Sequence, residues 1–136
     1  MAIVKELLRA EEDGSVSFGD YTLTTKSKLE DFKHNGDLLK VKTFNEITRL
    51  EKNGMFLYES VPGTAVNNFV ETEDGITFIV EGSEDAQITV GLAEDTEYEI
   101  LVAGQDAGHM KTNLGGKLSL SVELKDSGEI EVAIRK

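Results

Sequence analysis

The chain has 136 residues, 39% of them hydrophobic and 29% charged, which is the size and composition of one globular domain with one core. Its 26 acidic and 14 basic side chains give a net charge of −12, and this excess of acid repels phosphate backbones and anionic lipid. Because cysteine is absent, there is also no disulfide framework, thiolate nucleophile or zinc knuckle. We therefore predict a single soluble domain, residues 1–136, that binds neither nucleic acid nor membrane.

The N-terminal segment fits two elements. Apolar side chains at positions 3, 4, 7 and 8 have helical spacing, but the segment can also pair as a strand through the Asp13-Gly14 turn with Val16 and Phe18. We prefer the hairpin, because a helix this short is marginal in isolation. Leu29–Phe32 is likewise open between a helical turn and a strand. The start of the chain lacks the basic and apolar regions of a signal peptide, which predicts a cytoplasmic protein.

Tight-turn pairs recur along the chain and separate segments in which apolar and polar residues alternate. The turn pairs are Asp13-Gly14, Asn35-Gly36, Asn53-Gly54, Asp74-Gly75, the glycines that flank Asp106, and Ser127-Gly128. The clearest alternation lies in Gln87–Val90, Lys117–Leu124 and Glu129–Ile134. This pattern is typical of antiparallel strands with one buried face, and we expect roughly ten of them.

The best local hairpin surrounds Asn53-Gly54, with arms Glu46–Glu51 and Met55–Glu59. In Met55–Tyr58 apolar side chains fall on both faces, which predicts either a central strand covered on both sides or a surface for self-association. Met55, Phe56 and Tyr58 are therefore candidate interface residues.

Two further features supply candidate ligand-binding residues. The segment Pro62–Phe69 predicts a shaped loop, in which Gly63, Asn67 and Asn68 form local hydrogen bonds. Among the aromatic residues, Tyr21 and Tyr58 are the candidates for a ring at the surface, where a glycan could stack. We nevertheless expect core or interface packing for the rings and a structural loop that caps the end of the sandwich for Pro62–Phe69, with ligand binding as the alternative.

From about Ile76 to Lys136, the chain resembles an immunoglobulin or fibronectin type III-like sandwich. The resemblance lies in a Leu that ends one strand, Leu92, a short turn, and a Tyr that starts the next strand, Tyr98. It implies that the Tyr98 hydroxyl bonds to the backbone a few residues upstream and fixes the chain where it crosses between sheets.

Over most of its length the chain also resembles a family of small acidic bacterial proteins that are uncharacterised or labelled "endosialidase". The residues that carry this resemblance are Val4–Leu7, Ser17–Tyr21, Val41–Phe44, Val61–Phe69 and Lys111–Lys117. It implies a carbohydrate-related function, either a lectin-like module or hydrolysis of a sialic-acid polymer. Sialidases use an arginine cluster and a Tyr nucleophile, and the arginines of this chain are Arg9, Arg49 and Arg135.

Nothing else in the sequence points to catalysis. His34 and His109 lie beside turn glycines, no Gly-x-Ser-x-Gly elbow occurs, and Gly115-Gly116-Lys117 lacks the earlier Gly of a P-loop. The acidic clusters, such as Glu71–Asp74, offer oxygen ligands to calcium but lack the spaced Asp pattern of a calcium loop. We predict no catalytic residue and no cofactor, with calcium as an open alternative.

These observations predict an all-β antiparallel β-sandwich with an immunoglobulin-like C-terminal half, residues 76–136, and N-terminal hairpins within residues 1–70. We expect a non-catalytic binding or assembly module, with a second copy or another protein as its partner. The alternative is the carbohydrate-related function, with a glycan as the ligand.

Overall fold

The computed structural model describes residues 3–136, and this part of the chain contains thirteen strands. They are β1 (Leu8–Ala10), β2 (Val16–Phe18), β3 (Ser27–His34), β4 (Asp37–Thr43), β5 (Thr48–Lys52), β6 (Met55–Val61), β7 (Ala65–Thr72), β8 (Gly75–Glu81), β9 (Ala86–Gly91), β10 (Glu97–Val102), β11 (Gln105–Lys111), β12 (Lys117–Val122) and β13 (Ile130–Arg135). Within this range no helix is long and apolar enough to cross a membrane.

Neither segment that was open between helix and strand is helical, although a turn at residues 5–7 precedes β1. The predicted N-terminal hairpin is confirmed, since β1 pairs with β2 from Leu8 opposite Phe18 to Ala10 opposite Val16. The helical alternative for Leu29–Phe32 is wrong, because this segment lies inside β3. Its irregular pattern reflects a bulge, where the register with β4 shifts and Asp31 adopts a φ of 56°.

The strands form two sheets, and every strand pairing is antiparallel. Sheet A has the order β1-β2-β7-β8-β13-β10-β11, and sheet B has the order β12-β9-β6-β5-β4-β3. The predicted antiparallel β-sandwich is confirmed. Both halves of the chain contribute to both sheets, since β6 pairs with β9 and β7 pairs with β8.

Two of the predicted turns determine the register of sheet B. Asn35-Gly36 joins β3 to β4 and Asn53-Gly54 joins β5 to β6, and all four residues have positive φ, between 49° and 83°. This conformation is that of a type I′ turn, whose twist matches that of the strands it connects. Asn and Gly occupy these positions because they adopt positive φ at low cost.

The predicted tyrosine corner lies where the chain leaves β9 in sheet B and enters β10 in sheet A. Tyr98 is buried, and its hydroxyl accepts a hydrogen bond from the Ala93 N–H at 3.2 Å. The ring therefore fills the core while its polar end holds the connection five residues upstream. The hydrogen bond that the sequence resemblance implies for Tyr98 is therefore confirmed.

Four aromatic rings fill the centre of the sandwich. Phe18, Tyr58, Phe69 and Phe78 come from β2, β6, β7 and β8, and neighbouring ring centroids are 5.3 to 6.2 Å apart. Most pairs meet edge to face, the geometry that ring quadrupoles favour. Because Tyr58 belongs to sheet B and the three phenylalanines to sheet A, this cluster joins the two layers.

A network of buried hydroxyl groups closes one end of the sandwich. The Thr48 hydroxyl donates to the Thr64 carbonyl at 2.8 Å and accepts from the Thr64 N–H at 3.0 Å. Its single hydrogen is thus used, so Thr43 must be the donor in the 2.8 Å contact between the two threonine hydroxyls. The Thr43 oxygen in turn accepts from the Asp20 N–H at 3.0 Å.

The same network extends to the aromatic cluster. The Tyr58 hydroxyl lies 2.8 Å from the Thr64 hydroxyl, which is also 2.7 Å from the Ser60 hydroxyl. All three side chains are fully buried, and this burial raises the pKa of Tyr58 well above its usual value. Tyr58 therefore stays a neutral phenol, with its ring in the core and its hydroxyl in the polar network.

Removing one hydroxyl group from this network should lower the free energy of unfolding more than removing one from the surface does. Replacement of Thr48 by Val keeps the shape but leaves the Thr64 N–H and the Thr64 carbonyl without a partner, and the hydrogen of the Thr43 hydroxyl without an acceptor. We expect Thr48→Val to lower the free energy of unfolding by about 3 kcal/mol or more, measured by urea denaturation. Thr77→Val, at an exposed position of β8, should change it by less than about 0.5 kcal/mol. Equal losses in the two variants would contradict the role of the network.

Candidate functional site

The end of the sandwich opposite the hydroxyl network is open. A cleft of about 490 Å³ enters between the sheets there. Its apolar lining comes from β6, β8 and the tyrosine corner, and consists of Met55, Phe56, Leu57, Ile76, Leu92, Ala93 and Tyr98. A cleft with an apolar floor at the end of a rigid scaffold is a common form of binding site.

One ion pair spans the open end. Lys52 at the end of β5 and Glu71 near the end of β7 lie 2.7 Å apart and link the two sheets. The same pair lines a second cleft of about 270 Å³, whose wall includes His34. The open end thus holds two adjoining clefts, which are separated by one salt bridge that is partly exposed to water.

Two large apolar side chains project from the open end. Met55 begins β6 and is 72% exposed, and Leu114, in the turn before β12, is 80% exposed. Met55 lines the cleft, as does Gly115, the neighbour of Leu114. Exposing side chains of this size to water is unfavourable, and both lie beside the cleft of about 490 Å³.

Phe56 lies at the same end and is held by two cations. The Nζ of Lys117 is 4.6 Å from the ring centroid and the guanidinium carbon of Arg49 is 5.3 Å from it. Cations placed over a ring at these distances are attracted by its negative face. The half-buried ring therefore lies on the outer face of sheet B at the edge of the open end, between Arg49 and Lys117, whereas Met55 is largely exposed to solvent.

The prediction that Tyr58 offers a ring or an interface at the surface is wrong, since its exposed fraction is 0%. The reason is a bulge in β6. Leu50 lies opposite Tyr58 but Glu51 lies opposite Phe56, so Leu57 is an extra residue in the strand. The side chains of Leu57 and Tyr58 consequently both point into the core. The large exposed apolar side chain of this strand segment is that of Met55.

The segment Pro62–Phe69 is also different from the prediction of a loop, because residues from Ala65 onward belong to β7. Gly63 is buried, and a Cβ there would overlap the Phe44 carbonyl oxygen. At Asn68 the strand bulges, with a φ of 56°, and its backbone N–H donates to the Ser17 hydroxyl at 3.1 Å.

Hydrogen bonds within the segment were expected, but those of Asn68 instead reach Ser15 and Ser17 at β2, and they leave no shaped loop for a ligand. Asn67 lies opposite Ile79 within sheet A and is half-buried. Asn67 and Asn68 are thus parts of sheet A, and Gly63 is buried in the connection between β6 and β7.

Tyr21 is half-buried in the connection after β2. Burial, together with the negative charges of Glu81 and Asp20, raises the pKa of its hydroxyl. No other aromatic ring lies in contact with Tyr21 within residues 3–136, so a platform of several rings does not form around it. Of the seven candidate residues, only Met55 and Phe56 lie at the open end.

The three arginines do not converge on one site. Each is paired with at least one glutamate, at 3.1 to 3.5 Å. Arg9 in β1 and Arg135 in β13 are four strands apart in sheet A, which is about 19 Å, and Arg49 lies in sheet B. Within residues 3–136 there is also no group of three His, Asp or Glu side chains that could hold a metal ion.

Some residues of the open end were missed by the sequence analysis. Leu114 had a usable signal, because a single apolar residue in the turn Asn113–Gly116 has no strand face to bury it. The pairing of Lys52 with Glu71 had no signal in the sequence, since the two residues are nineteen positions apart and meet only when the sheets stack.

No protein-family model, curated protein or solved structure matches the chain. The family resemblances on sequence therefore stay predictions, and a function has to be argued from the open end itself.

The burial of Tyr58 and the exposure of Met55 can be tested directly by comparing two variants. Tyr58→Asp places an unpaired charge in the aromatic cluster and should cost about 4 kcal/mol or more, enough to unfold many domains of this size. Met55→Asp should change the stability by less than about 0.5 kcal/mol. Thermal unfolding followed by circular dichroism separates these outcomes, and a Tyr58→Asp protein that melts like the wild type would show that the burial is wrong.

Proposed function

We propose that the protein is a non-catalytic assembly module that associates with a second copy of itself through its open end. The observation that carries the proposal is the position of two exposed apolar side chains, Met55 and Leu114, beside a cleft whose floor is apolar. Each copy thus has both a projecting group and a recess for one.

This arrangement suits a symmetric dimer. In a two-fold interface the same patch occurs on both subunits, so a group that projects from one copy meets the recess of the other. Met55 or Leu114 of one copy would enter the cleft of its partner and contact Leu92 and Ile76 there. The cleft wall formed by Leu92, Ala93 and Tyr98 is held by the tyrosine corner, which lowers the cost of ordering the interface.

Charge also bears on where two copies can meet. A net charge of −12 makes most surfaces repel one another. The open end includes Lys52, Lys117 and Lys136 among its lining residues, against Glu71 and Glu73. It is therefore less acidic than the chain as a whole, and association there meets less repulsion.

The carbohydrate-related function has weaker support. A lectin-like site commonly stacks a sugar on exposed aromatic rings, and Tyr58 is buried while Tyr21 is half-buried. The arginines that a sialidase would gather around a carboxylate are separated and paired with glutamates. A glycan therefore enters as an outcome of the test and not as the preferred ligand.

The test is sedimentation velocity over a range of protein concentrations, at an ionic strength near 0.15 M to screen the net charge. The wild type should form a dimer, and Met55→Asp and Leu114→Asp should each weaken association at least tenfold, since a buried unpaired carboxylate is costly. Leu38→Asp is the matched control. Leu38 is 44% exposed on β4, outside the 490 Å³ cleft, so this variant should associate like the wild type.

A wild type that stays monomeric at the highest concentration would contradict assembly with a second copy. Equal weakening by Leu38→Asp would show that added negative charge, and not the open end, controls association. In the case of a monomer, a glycan array with wild type and Tyr21→Ala tests the alternative function.

A further inference from the structure

A row of side chains crosses the outer face of sheet B and begins with three cations. Lys28 in β3 lies directly opposite Lys42 in β4, and Lys42 lies directly opposite Arg49 in β5. The row continues with Glu59 in β6. Directly opposite residues in an antiparallel sheet share a face, with Cβ atoms about 4.5 to 5.5 Å apart.

Carboxylates neutralise only part of this row. Arg49 contacts Glu51 at 3.2 Å and Glu59 at 3.5 Å, and Lys40, which also borders the row, contacts Glu30 at 3.4 Å. No carboxylate of residues 3–136 lies within ion-pair distance of Lys28 or Lys42.

This arrangement is unusual for a chain with an excess of acidic residues. Like charges directly opposite one another destabilise a sheet. The chain has 26 acidic side chains that could neutralise a lysine, but none of those in residues 3–136 pairs with Lys28 or Lys42. Two unpaired lysines are instead adjacent, next to an arginine.

The cationic side chains surround a depression. It has a volume of about 60 Å³ and is lined by Lys28, Lys40, Lys42, Arg49 and Glu51. This space exceeds the roughly 10 to 15 Å³ that one water molecule needs by the same measure, so a small polyatomic anion fits among the cationic side chains. Glu51, the one carboxylate in the lining, is engaged by Arg49.

We propose that this depression binds a tetrahedral oxyanion with two negative charges, a phosphate or sulfate group. The charge of such a group relieves the repulsion between Lys28 and Lys42. Its oxygens accept hydrogen bonds from lysine ammonium and arginine guanidinium groups, both of which are common phosphate ligands. The site lies on the outer face of sheet B and does not depend on assembly through the open end.

The test compares thermal unfolding of the full chain in sodium phosphate, sodium sulfate and sodium chloride at equal ionic strength. Phosphate and sulfate at about ten times the dissociation constant should raise the unfolding midpoint of the wild type by about 3 to 5 °C more than chloride does. The double variant Lys28→Gln/Lys42→Gln should lose this difference. The control Lys33→Gln/Lys125→Gln removes the same charge from two exposed lysines outside the depression and should keep it.

The control matters because sulfate and phosphate also stabilise proteins by exclusion from their surface. If all three proteins shift equally, or if none shifts, the site is refuted. In chloride at low ionic strength, Lys28→Gln/Lys42→Gln should also melt at a higher temperature than the control, since it removes the opposed charges.

An NMR titration with inorganic phosphate and with O-phosphoserine then distinguishes the source of the group. Amide shifts confined to residues around 28, 42 and 49 are expected. Equal affinity for both probes indicates a phosphate carried by a larger molecule, and binding of inorganic phosphate alone indicates the free ion. Shifts spread over the whole surface would overturn the proposal.

Discussion

The fold depends on the hydrogen bonds around Thr64. Its backbone bonds to the Thr48 hydroxyl in both directions, and its own hydroxyl contacts Tyr58 and Ser60. These bonds allow six polar groups to be buried without loss, because each would otherwise give up its hydrogen bonds to water. They also fix the position of the Tyr58 ring, around which the three phenylalanines of sheet A pack. One end of the sandwich is thereby closed, and the opposite end is where the space between the sheets reaches solvent.

Much of this architecture is visible in the sequence. Turn chemistry predicts the hairpins, since Asn53-Gly54 strongly favours a type I′ turn, and the resemblance carried by Leu92 and Tyr98 implies the corner and its hydrogen bond. The residues that the sequence misassigns lie at bulges. An extra residue at Leu57 turns Tyr58 inward, and another at Asn68 makes a strand resemble a loop. A period of two cannot detect such an insertion, because the bulge is determined by pairing with a strand elsewhere in the chain.

The candidate site was harder to predict than the fold for the same reason. Met55 and Phe56 were found because they follow a strong turn signal, but their partners come from β7, β9 and the turn before β12. The groups that meet at the open end are brought together by the stacking of the sheets. The basic row is similar, since Lys28, Lys42 and Arg49 are unremarkable in sequence and become a charged cluster only through the register of three strands. The fold thus separates an apolar open end from a cationic sheet face on one acidic domain.

The central claim is that the closed end stabilises the sandwich while the open end contacts a second copy. Hydrogen–deuterium exchange at low and high protein concentration tests both parts in one measurement. The account predicts that amides at 52–57, 91–93 and 113–117 exchange more slowly in the concentrated sample, while the amides of Asp20 and Thr64 are strongly protected at both concentrations. Protection that depends on concentration only at the edge strand Gln105–Lys111, or rapid exchange of the Thr64 amide, would contradict it.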